Sequence, residues 1–449
     1  MTDNMNYYED ILKDISELVQ IPSVYDAATI TEQMPYGKNV YRGYQWMKEK
    51  ALKDGFEVTE YDGHVLAIRI KGNTSGERID VVSHVDVVEP GDGWDEDPFS
   101  GRITDEYIYG RGTIDMKGTL MLTYHALKYI KENHIPCKND LRVVVGCDEE
   151  RTMGDIRYYI TKAGEPDFAF TPDGKFPFSL GEKGATMWTL DGTMGSVIIN
   201  LKGGVQCNVV SPIAEASVRD VENLPLYEKM LLQLGYVGKI VKSADKLSLT
   251  LYGRAAHAST PELGSNATVK LLELIHKVNH DPLAGLLFHC FADPYGEGAG
   301  IGYDIEPMGK LTLNLGVLYI SDNHVDAQIE CRYPLGVTSE VLTEKLNHAL
   351  NPIKVSLKYD DKPTMADEAS PYLNVLLDTY REVYDDDKAQ PFISGGVTYS
   401  KAIKNCVAFG PNGKDDIELA HQANERIDLS MVKKLYELYK ETMIRLANQ

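Results

Sequence analysis

Helical and extended patterns alternate along the first part of the chain. Apolar residues recur at helical spacing, which predicts helices over 7–19, 40–52, 117–132 and 156–162. Runs rich in β-branched and apolar residues predict strands over 56–61, 65–70, 79–85, 141–147 and 167–170. Strands that alternate with helices predict an α/β fold with a parallel or mixed sheet between helices.

The pattern changes after Gly184. Alternation of apolar and polar positions predicts strands over 187–190, 197–201, 247–252, 311–319 and 327–331. Helical spacing predicts helices over 224–233, 267–279 and 339–350. A predicted helix that begins at Pro371 and a last helix over 430–446 return to the α/β pattern of the first part of the chain. We therefore predict a catalytic α/β domain, residues 1–185 and 365–449, interrupted by an α+β lid domain, residues 186–364.

Length and composition fit this division. A chain of 449 residues is too long for one typical core, and 43% hydrophobic with 25% charged residues is ordinary for a globular protein. The chain has no apolar run long enough to span a membrane, and its acidic N-terminus lacks a signal segment. Six scattered cysteines without a CxxC pair indicate reduced thiols. These features predict a cytoplasmic protein that does not bind membranes.

The formal net charge of −21 argues against a nucleic-acid partner, because phosphate binding requires clustered lysine and arginine. The excess of acidic residues has two explanations. It either serves solubility, or some of the carboxylates surround bound cations. Only specific residue spacings can decide between the two.

Five short segments place metal-ligand side chains at predicted strand ends or in loops. They are centred on His84-Val85-Asp86, Asp115 in a glycine-punctuated loop, the acids 148–150, Asp173-Gly174 and His421. Because alternate residues of a strand face the same side, Asp86 is expected to hold the second ring nitrogen of His84. Each segment alone has an ordinary explanation: a core histidine, a helix N-cap, a solvated strand end or a turn.

Taken in order, the motifs are more specific. H-x-D, G-R-G-x-x-D-x-K-G, D-E-E at a strand end, P-D-G and a late histidine follow one another along nearly the whole chain. This pattern resembles the ArgE/DapE/carnosinase family of dinuclear metallohydrolases. The block WDEDPFSGRITDEYIYGRGTIDMKG from Trp94, RAAHAST from Arg254 and SGGVTY from Ser394 are most similar to the bacterial PepV-type dipeptidases of that family.

The resemblance implies a role for each motif residue. His84 and Asp173 hold one divalent metal, Glu150 and His421 hold the other, and Asp115 bridges both. Oxygen and imidazole ligands without a thiolate suit Zn²⁺ or Mn²⁺, with Co²⁺ as an alternative. Two such ions carry four positive charges, which Asp115, Glu150, Asp173 and one hydroxide balance.

The implied reaction is hydrolysis of the peptide bond of a dipeptide. Asp86 orients His84, and Glu149 is the general base that activates a water between the metals. Glu149 and Glu150 are expected to point to opposite sides of an extended chain. In the inserted domain, Asn208 and His257 bind substrate and stabilise the oxyanion, and Arg332 clamps the substrate carboxylate. Gly395, Gly396 and Thr398 are expected to add donors to that carboxylate.

Several alternatives stay open. An N-acyl amino-acid deacylase or desuccinylase would use the same chemistry, and a regulatory protein that binds metal without catalysis is a third reading. Arg332 has the alternative of a surface ion pair. The acidic residues within 92–97 either line the site entrance or form a solvated loop. Because the insert is large enough to supply His257 within one chain, an active monomer is expected.

Overall fold

The computed structural model describes the backbone of residues 2–73, 76–413, 416 and 419–449, and the side chains from residue 7 onward. The chain divides into two compact units. Unit 1 comprises Met1–Gly181, Met365–Phe392 and Val397–Gln449, and unit 2 comprises Glu182–Thr364 and Ile393–Gly396. The segment Ile393–Gly396, which the sequence analysis assigned to the first domain, therefore groups with unit 2.

The chain up to the start of unit 2 contains most elements of unit 1. Its helices are α1 (Thr2–Val19), α2 (Lys38–Lys53), α3 (Lys117–Glu132) and α4 (Gly154–Ala163). Its strands are β1 (Glu57–Tyr61), β2 (Val65–Ile70), β3 (Arg78–His84), β4 (Tyr107–Tyr109), β5 (Asp140–Gly146), β6 (Phe168–Thr171), β7 (Gly174–Lys175) and β8 (Ser179–Glu182).

Unit 2 and the returning chain supply the remaining elements. The next strands are β9 (Gly184–Thr193), β10 (Ile198–Gly203), β11 (Ile213–Val218), β12 (Gly238–Lys242), β13 (Leu247–Tyr252), β14 (Asp304–Ile305), β15 (Gly309–Lys310), β16 (Thr312–Ser321), β17 (His324–Tyr333), β18 (Lys354–Asp361) and β19 (Thr364–Met365). The helices of unit 2 are α5 (Leu224–Gln233), α6 (Ala267–Asn279), α7 (Pro282–Phe291) and α8 (Ser339–Ala349). The chain ends with α9 (Pro371–Tyr384), β20 (Phe392–Ser394), β21 (Cys406–Ala408), β22 (Pro411–Asn412), β23 (Arg426–Asp428) and α10 (Leu429–Asn448).

A mixed sheet is the centre of unit 1. Its strand order is β1-β2-β5-β3-β6-β21-β8-β19, and β20 pairs with β8. The central strands β5, β3, β6 and β21 are parallel, whereas β1 and β2 are antiparallel. Val81 and Val143 enter one hydrophobic cluster, and their neighbours Val82 and Val144 enter another. The sheet is thus covered on both faces, which explains the continuous apolar runs in its sequence.

Unit 2 contains an antiparallel sheet with its own core. The strand order is β12-β13-β11-β10-β16-β17-β9-β18. Helix α6 lies against β11 and β13, and α8 lies against β18. Trp188, Leu249 and Ile329 are among the residues buried in this core. The predicted fold class, a mixed sheet between helices with an inserted α+β domain, is confirmed. Among the described residues, the structure contains no helix with the length and apolar character that a membrane span requires.

Candidate metal centre

Parallel strands bring several predicted site residues to one edge of the unit 1 sheet. Strands β5, β3 and β6 lie side by side. β3 ends at His84, β5 is followed by Glu149 and Glu150, and β6 is followed by Asp173. Because parallel neighbours end at the same edge, residues far apart in sequence meet there.

His84 is completely buried at this edge. Its Nε2 atom lies 3.3 Å from Asp115 Oδ1 and 3.6 Å from Asp173 Oδ2. Its Nδ1 atom is 2.9 Å from the main-chain oxygen of Asp86 and 3.4 Å from the carboxylate of that residue. The second ring nitrogen therefore contacts the residue predicted to hold it, but the hydrogen bond is to the main chain of Asp86. The reason is that β3 ends at His84, so Asp86 is not on the strand.

The Asp86 carboxylate has a different contact. Its two oxygens accept from the main-chain N–H of Glu149 at 3.3 Å and of Glu150 at 3.2 Å. Residues 149–152 form a turn, so the expected extended chain at this point is wrong. Asp86 thus fixes the turn that carries both glutamates, because a buried carboxylate requires donors of this kind.

The turn directs the two glutamates to different groups of ligand atoms. His84, Glu149 and Asp173 form one group, and Asp115, Glu150 and His421 form the other. Within each group the ligand atoms lie within 4.8 Å of one another. The structure therefore brings together all seven residues predicted for the metal and catalytic site.

Asp115 lies in the loop before α3. Gly112 in this loop has a φ of +91°, a conformation that side chains other than glycine rarely adopt. The N-cap of α3 is Met116, so Asp115 is not the helix cap that the sequence left open. The loop N–H groups of Gly112, Ile114 and Asp115 donate to the carboxylate of Glu425.

Glu425 was missed as a site residue by the sequence analysis. It is completely buried and pairs with Arg111, whose Nη1 lies 2.6 Å from its Oε2. It lies four residues after His421 in the sequence, but no periodicity or spacing marks it as the partner of a distant loop. Its burial and its partner became visible only in the fold.

His421 completes the second group. It has a left-handed backbone, with a φ of 62°. Its Nε2 atom lies 3.0 Å from Asp115 Oδ2 and 3.0 Å from Glu150 Oε2. Asp115 therefore presents one carboxylate oxygen to His84 and the other to His421.

Unpartnered atoms test whether a metal fits here. His84 Nε2, Asp115 Oδ1 and Glu149 Oε1 are buried without a hydrogen-bond partner. Two ligands about 2.0–2.1 Å from a tetrahedral ion would lie about 3.3 Å apart, close to the separations of 3.0–3.6 Å in both groups. The residues fit two divalent ions that take nitrogen and oxygen ligands.

The site strongly perturbs its own titratable groups. Burial alone would lower the pKa of His421, but hydrogen bonds to Asp115 and Glu150 raise that pKa to about 11. Burial and the nearby Asp115 carboxylate raise the pKa of Glu150 to about 7. Burial and the Asp173 carboxylate raise the pKa of Glu149 well above its ordinary range. This concentration of carboxylates favours positively charged ligands.

Unit 2 contains Arg332 in a buried environment. The residue is 7% exposed, and its Nε is 2.5 Å from Oε1 of Glu330. Its Nη1 donates to the main-chain oxygen of Gly395 at 2.8 Å. The alternative of a surface ion pair is therefore wrong, because both charged groups are buried.

Asn208 and His257 are exposed and lie on adjoining segments of unit 2. Ala258 N–H donates to the main-chain oxygen of Asn208 at 2.9 Å. The His257 Nδ1 atom faces the Ser259 hydroxyl at 2.7 Å and accepts from the Ser259 N–H at 3.2 Å. An added Cβ on Gly395 would lie 2.6 Å from the Cβ of Ser259. Within unit 2, the segment that carries His257 therefore contacts both Asn208 and Gly395, and Gly395 contacts Arg332.

The other predicted carboxylate donors have internal contacts. Gly396 N–H donates to the Ser394 hydroxyl at 2.8 Å. The Thr398 hydroxyl lies in unit 1 and accepts from the Ser400 N–H at the start of a short 3₁₀ helix. In the acidic loop, Glu96 forms an exposed ion pair with Arg102.

Comparisons with known proteins identify the family of this chain. Residues 81–445 match the peptidase family M20/M25/M40. A Staphylococcus aureus (strain USA300) protein named "Putative dipeptidase" is 30% identical over 465 residues, with 99% of this chain and 98% of the relative covered.

Two solved structures share the fold. The dipeptidase Dug1p from Saccharomyces cerevisiae has a TM-score of 0.59 at 15% identity, covering 98% of this chain and 96% of its own. The M20 family metallo-carboxypeptidase Sso-CP2 from Sulfolobus solfataricus has a TM-score of 0.60 at 17% identity, covering 98% and 99%. The family match extends over most of the chain and includes the residues of both ligand groups. The chain is therefore a metallopeptidase that belongs to the peptidase family M20/M25/M40.

Proposed function

We propose that this chain is a dipeptidase with two divalent ions at the edge of the unit 1 sheet. His84 and Asp173 would hold one ion, Glu150 and His421 would hold the other, and Asp115 would bind both. The single observation that carries this proposal is that the two carboxylate oxygens of Asp115 face different histidines, at 3.3 and 3.0 Å. Zn²⁺ or Mn²⁺ is the proposed metal, and Co²⁺ also suits these ligands.

Glu149 is the proposed general base. When bound, the two ions would lower the pKa of a water and polarise the scissile carbonyl. Glu149 is buried, its Oε1 has no hydrogen-bond partner, and its main chain is fixed by Asp86. It would take the proton of the attacking water and return it to the leaving amine.

Arg332 is proposed to bind the C-terminal carboxylate of the substrate. A guanidinium recognises a carboxylate through two parallel hydrogen bonds, provided that its plane is fixed. Glu330 and the main chain of Gly395 hold one edge of the Arg332 group. Gly396 and Thr398 stay proposed contributors of donors to the same substrate group.

His257 is proposed to stabilise the oxyanion, with Asn208 as a second polar contact. The Ser259 N–H can only donate, so the Nδ1 atom of a neutral His257 ring accepts and Nε2 carries the hydrogen. A donor N–H of this kind suits an oxygen that develops negative charge.

The choice of a dipeptide substrate rests on sequence similarity. The Staphylococcus relative is named "Putative dipeptidase". The resemblance of the sequence motifs to the PepV-type dipeptidases supports the same substrate class. An N-acyl amino-acid deacylase is the second candidate, since it would use the same metals and base. We also propose that the protein is active as a monomer in the cytoplasm and binds neither nucleic acid nor membranes.

A substrate panel tests this function. The metal-loaded protein is assayed against dipeptides, the same dipeptides with an acetylated N-terminus, and N-succinyl amino acids. Preferential hydrolysis of free dipeptides is expected. Faster hydrolysis of the acylated compounds would favour the deacylase, and hydrolysis of none of them would reject both candidate substrates.

A further inference from the structure

We propose that Glu425, paired with Arg111, is a positioning residue that holds the Asp115 loop against the His421 segment and so sets the affinity of the second metal site. This inference rests on the proposed metal centre. Neither Arg111 nor Glu425 belongs to a ligand group or to the proposed catalytic steps. Both are nevertheless buried charged groups beside the site.

Glu425 connects to the loop through almost all of its polar atoms. Its Oε1 accepts three main-chain N–H groups, from Gly112 at 3.1 Å, Ile114 at 2.9 Å and Asp115 at 3.2 Å. Its main-chain oxygen accepts from the Gly110 N–H at 2.9 Å. Buried N–H groups require acceptors, so this one residue satisfies most of a loop that has no regular secondary structure.

Arg111 pairs with the Glu425 carboxylate and orients it. Arg111 Nη1 lies 2.6 Å from Glu425 Oε2, and the two side chains are 1% and 0% exposed. The guanidinium carbon lies 5.2 Å from the ring centre of Trp94, and Nη2 donates to Pro90 at 3.3 Å. The pair therefore has a fixed geometry and cannot rotate to solvent.

The Arg111–Glu425 pair connects the segment that carries Asp115 to the segment that carries His421, and each member of the pair is four residues from the ligand of its own segment. Asp115 follows Arg111 by four residues, and Glu425 follows His421 by four residues. Strand β23 also pairs with β4, with Arg426 opposite Tyr109. The contact of 3.0 Å between Asp115 Oδ2 and His421 Nε2 is thus set by the join between these segments. Glu425→Gln leaves one acceptor oxygen and introduces an NH2 donor, which must face either the Arg111 guanidinium or the loop N–H groups, so this separation is no longer fixed.

The test is the metal content and metal affinity of Glu425→Gln. Metal-free protein is titrated with Zn²⁺ or Mn²⁺ against a competing chelator, and bound metal is counted after gel filtration. Wild type should hold two ions. Glu425→Gln should hold one ion with near-normal affinity and the second about 10–100-fold more weakly. The rise in Tm on adding metal should be smaller for Glu425→Gln than for wild type, because weaker binding stabilises the folded state less.

Glu96→Gln is the matched control. It breaks an ion pair with Arg102 in the neighbouring acidic loop, where both side chains are exposed. Its two metal affinities should equal those of wild type. Glu425→Asp, which keeps the charge, should recover part of the lost affinity.

A second variant is used if Glu425→Gln does not fold. The double variant Arg111→Gln with Glu425→Gln removes both buried charges and leaves two amides that can hydrogen-bond to each other. Two ions bound at wild-type affinity in either folded variant would overturn the positioning role. Unfolding of both variants without metal would overturn it as well, because the pair would then serve the whole fold. A wild type that fails to bind two ions would reject the proposed function instead.

Discussion

The His84 ring donates from Nδ1 to the main-chain carbonyl of Asp86, 2.9 Å away. A carbonyl can only accept, so this contact places the hydrogen of a neutral ring on Nδ1 and leaves the lone pair on Nε2. Nε2 is the atom that faces Asp115 and Asp173. The main chain of Asp86 thus orients the proposed ligand, while its carboxylate holds the glutamate turn.

The first prediction separates these two roles of Asp86. Asp86→Asn keeps the main-chain carbonyl but replaces one acceptor oxygen with a donor that faces the N–H of Glu149 or Glu150. We expect the ion at His84 to stay bound while kcat falls and the ion at Glu150 binds about 10–100-fold more weakly, because the turn that carries both glutamates shifts. Measured metal content and kcat decide this, with the exposed Asp105→Asn as the control. Loss of the metal at His84 would show that the carboxylate, not the carbonyl, orients the ring.

The second prediction distinguishes the two neighbouring glutamates. Glu149→Gln should retain both ions and lower kcat by at least about 10²-fold, because it removes proton transfer. Glu150→Gln should weaken binding of one ion, because it removes a ligand of the second group. The two variants serve as controls for each other, since each removes one charge from the same turn. Near-normal turnover of Glu149→Gln would exclude it as the base.

The third prediction concerns pH and metal binding. In the metal-free protein the raised pKa of His421, about 11, keeps its ring protonated at neutral pH, and Glu150 with a pKa of about 7 is partly protonated. A metal ion must displace these protons, so its apparent affinity rises as pH rises. We expect an increase of more than about tenfold per pH unit near neutrality, which corresponds to more than one released proton. Calorimetry in buffers of different ionisation enthalpy measures that number, and a value of zero would contradict the site.

The fourth prediction tests the proposed carboxylate clamp. Arg332→Ala should lose about 2–5 kcal/mol in kcat/KM on free dipeptides, the range for removing one partner of a buried charge pair. Metal content should not change. The loss should shrink on dipeptides with an amidated C-terminus, which lack the group that Arg332 binds. Equal losses on both substrates would assign Arg332 to the structure of unit 2 through its pair with Glu330.

Much of the site was predictable because it lies where parallel strands end. His84 and Asp173 carry the local signals of a strand end and a turn, and the order of motifs connects them. The hydrogen bond from His84 to the main chain of Asp86 was not predictable, since it depends on the strand ending one residue earlier than the apolar pattern suggests. The role of Glu425 depends on a loop more than 300 residues away, for which a single sequence has no signal.

Among the elements of unit 2, the sequence pattern predicted some and missed others. The predicted helix over 267–279 coincides with α6, because Asn266 caps its first turn through hydrogen bonds to Thr268 and Val269. Helix α7 was missed, although Asp281 caps it and Pro282 begins it. Its strongly apolar sequence lacks the polar face that marks most surface helices. The edge strand β12 was missed because its residues are mostly exposed.

Anomalous diffraction from crystals of the Mn²⁺-loaded protein tests the central claim most directly, which is that Asp115 binds two ions. We expect two anomalous peaks about 3.5–4 Å apart. One should lie beside His84 and Asp173, the other beside Glu150 and His421, with Asp115 between them. A single peak, or two peaks that do not share Asp115, would contradict the dinuclear centre.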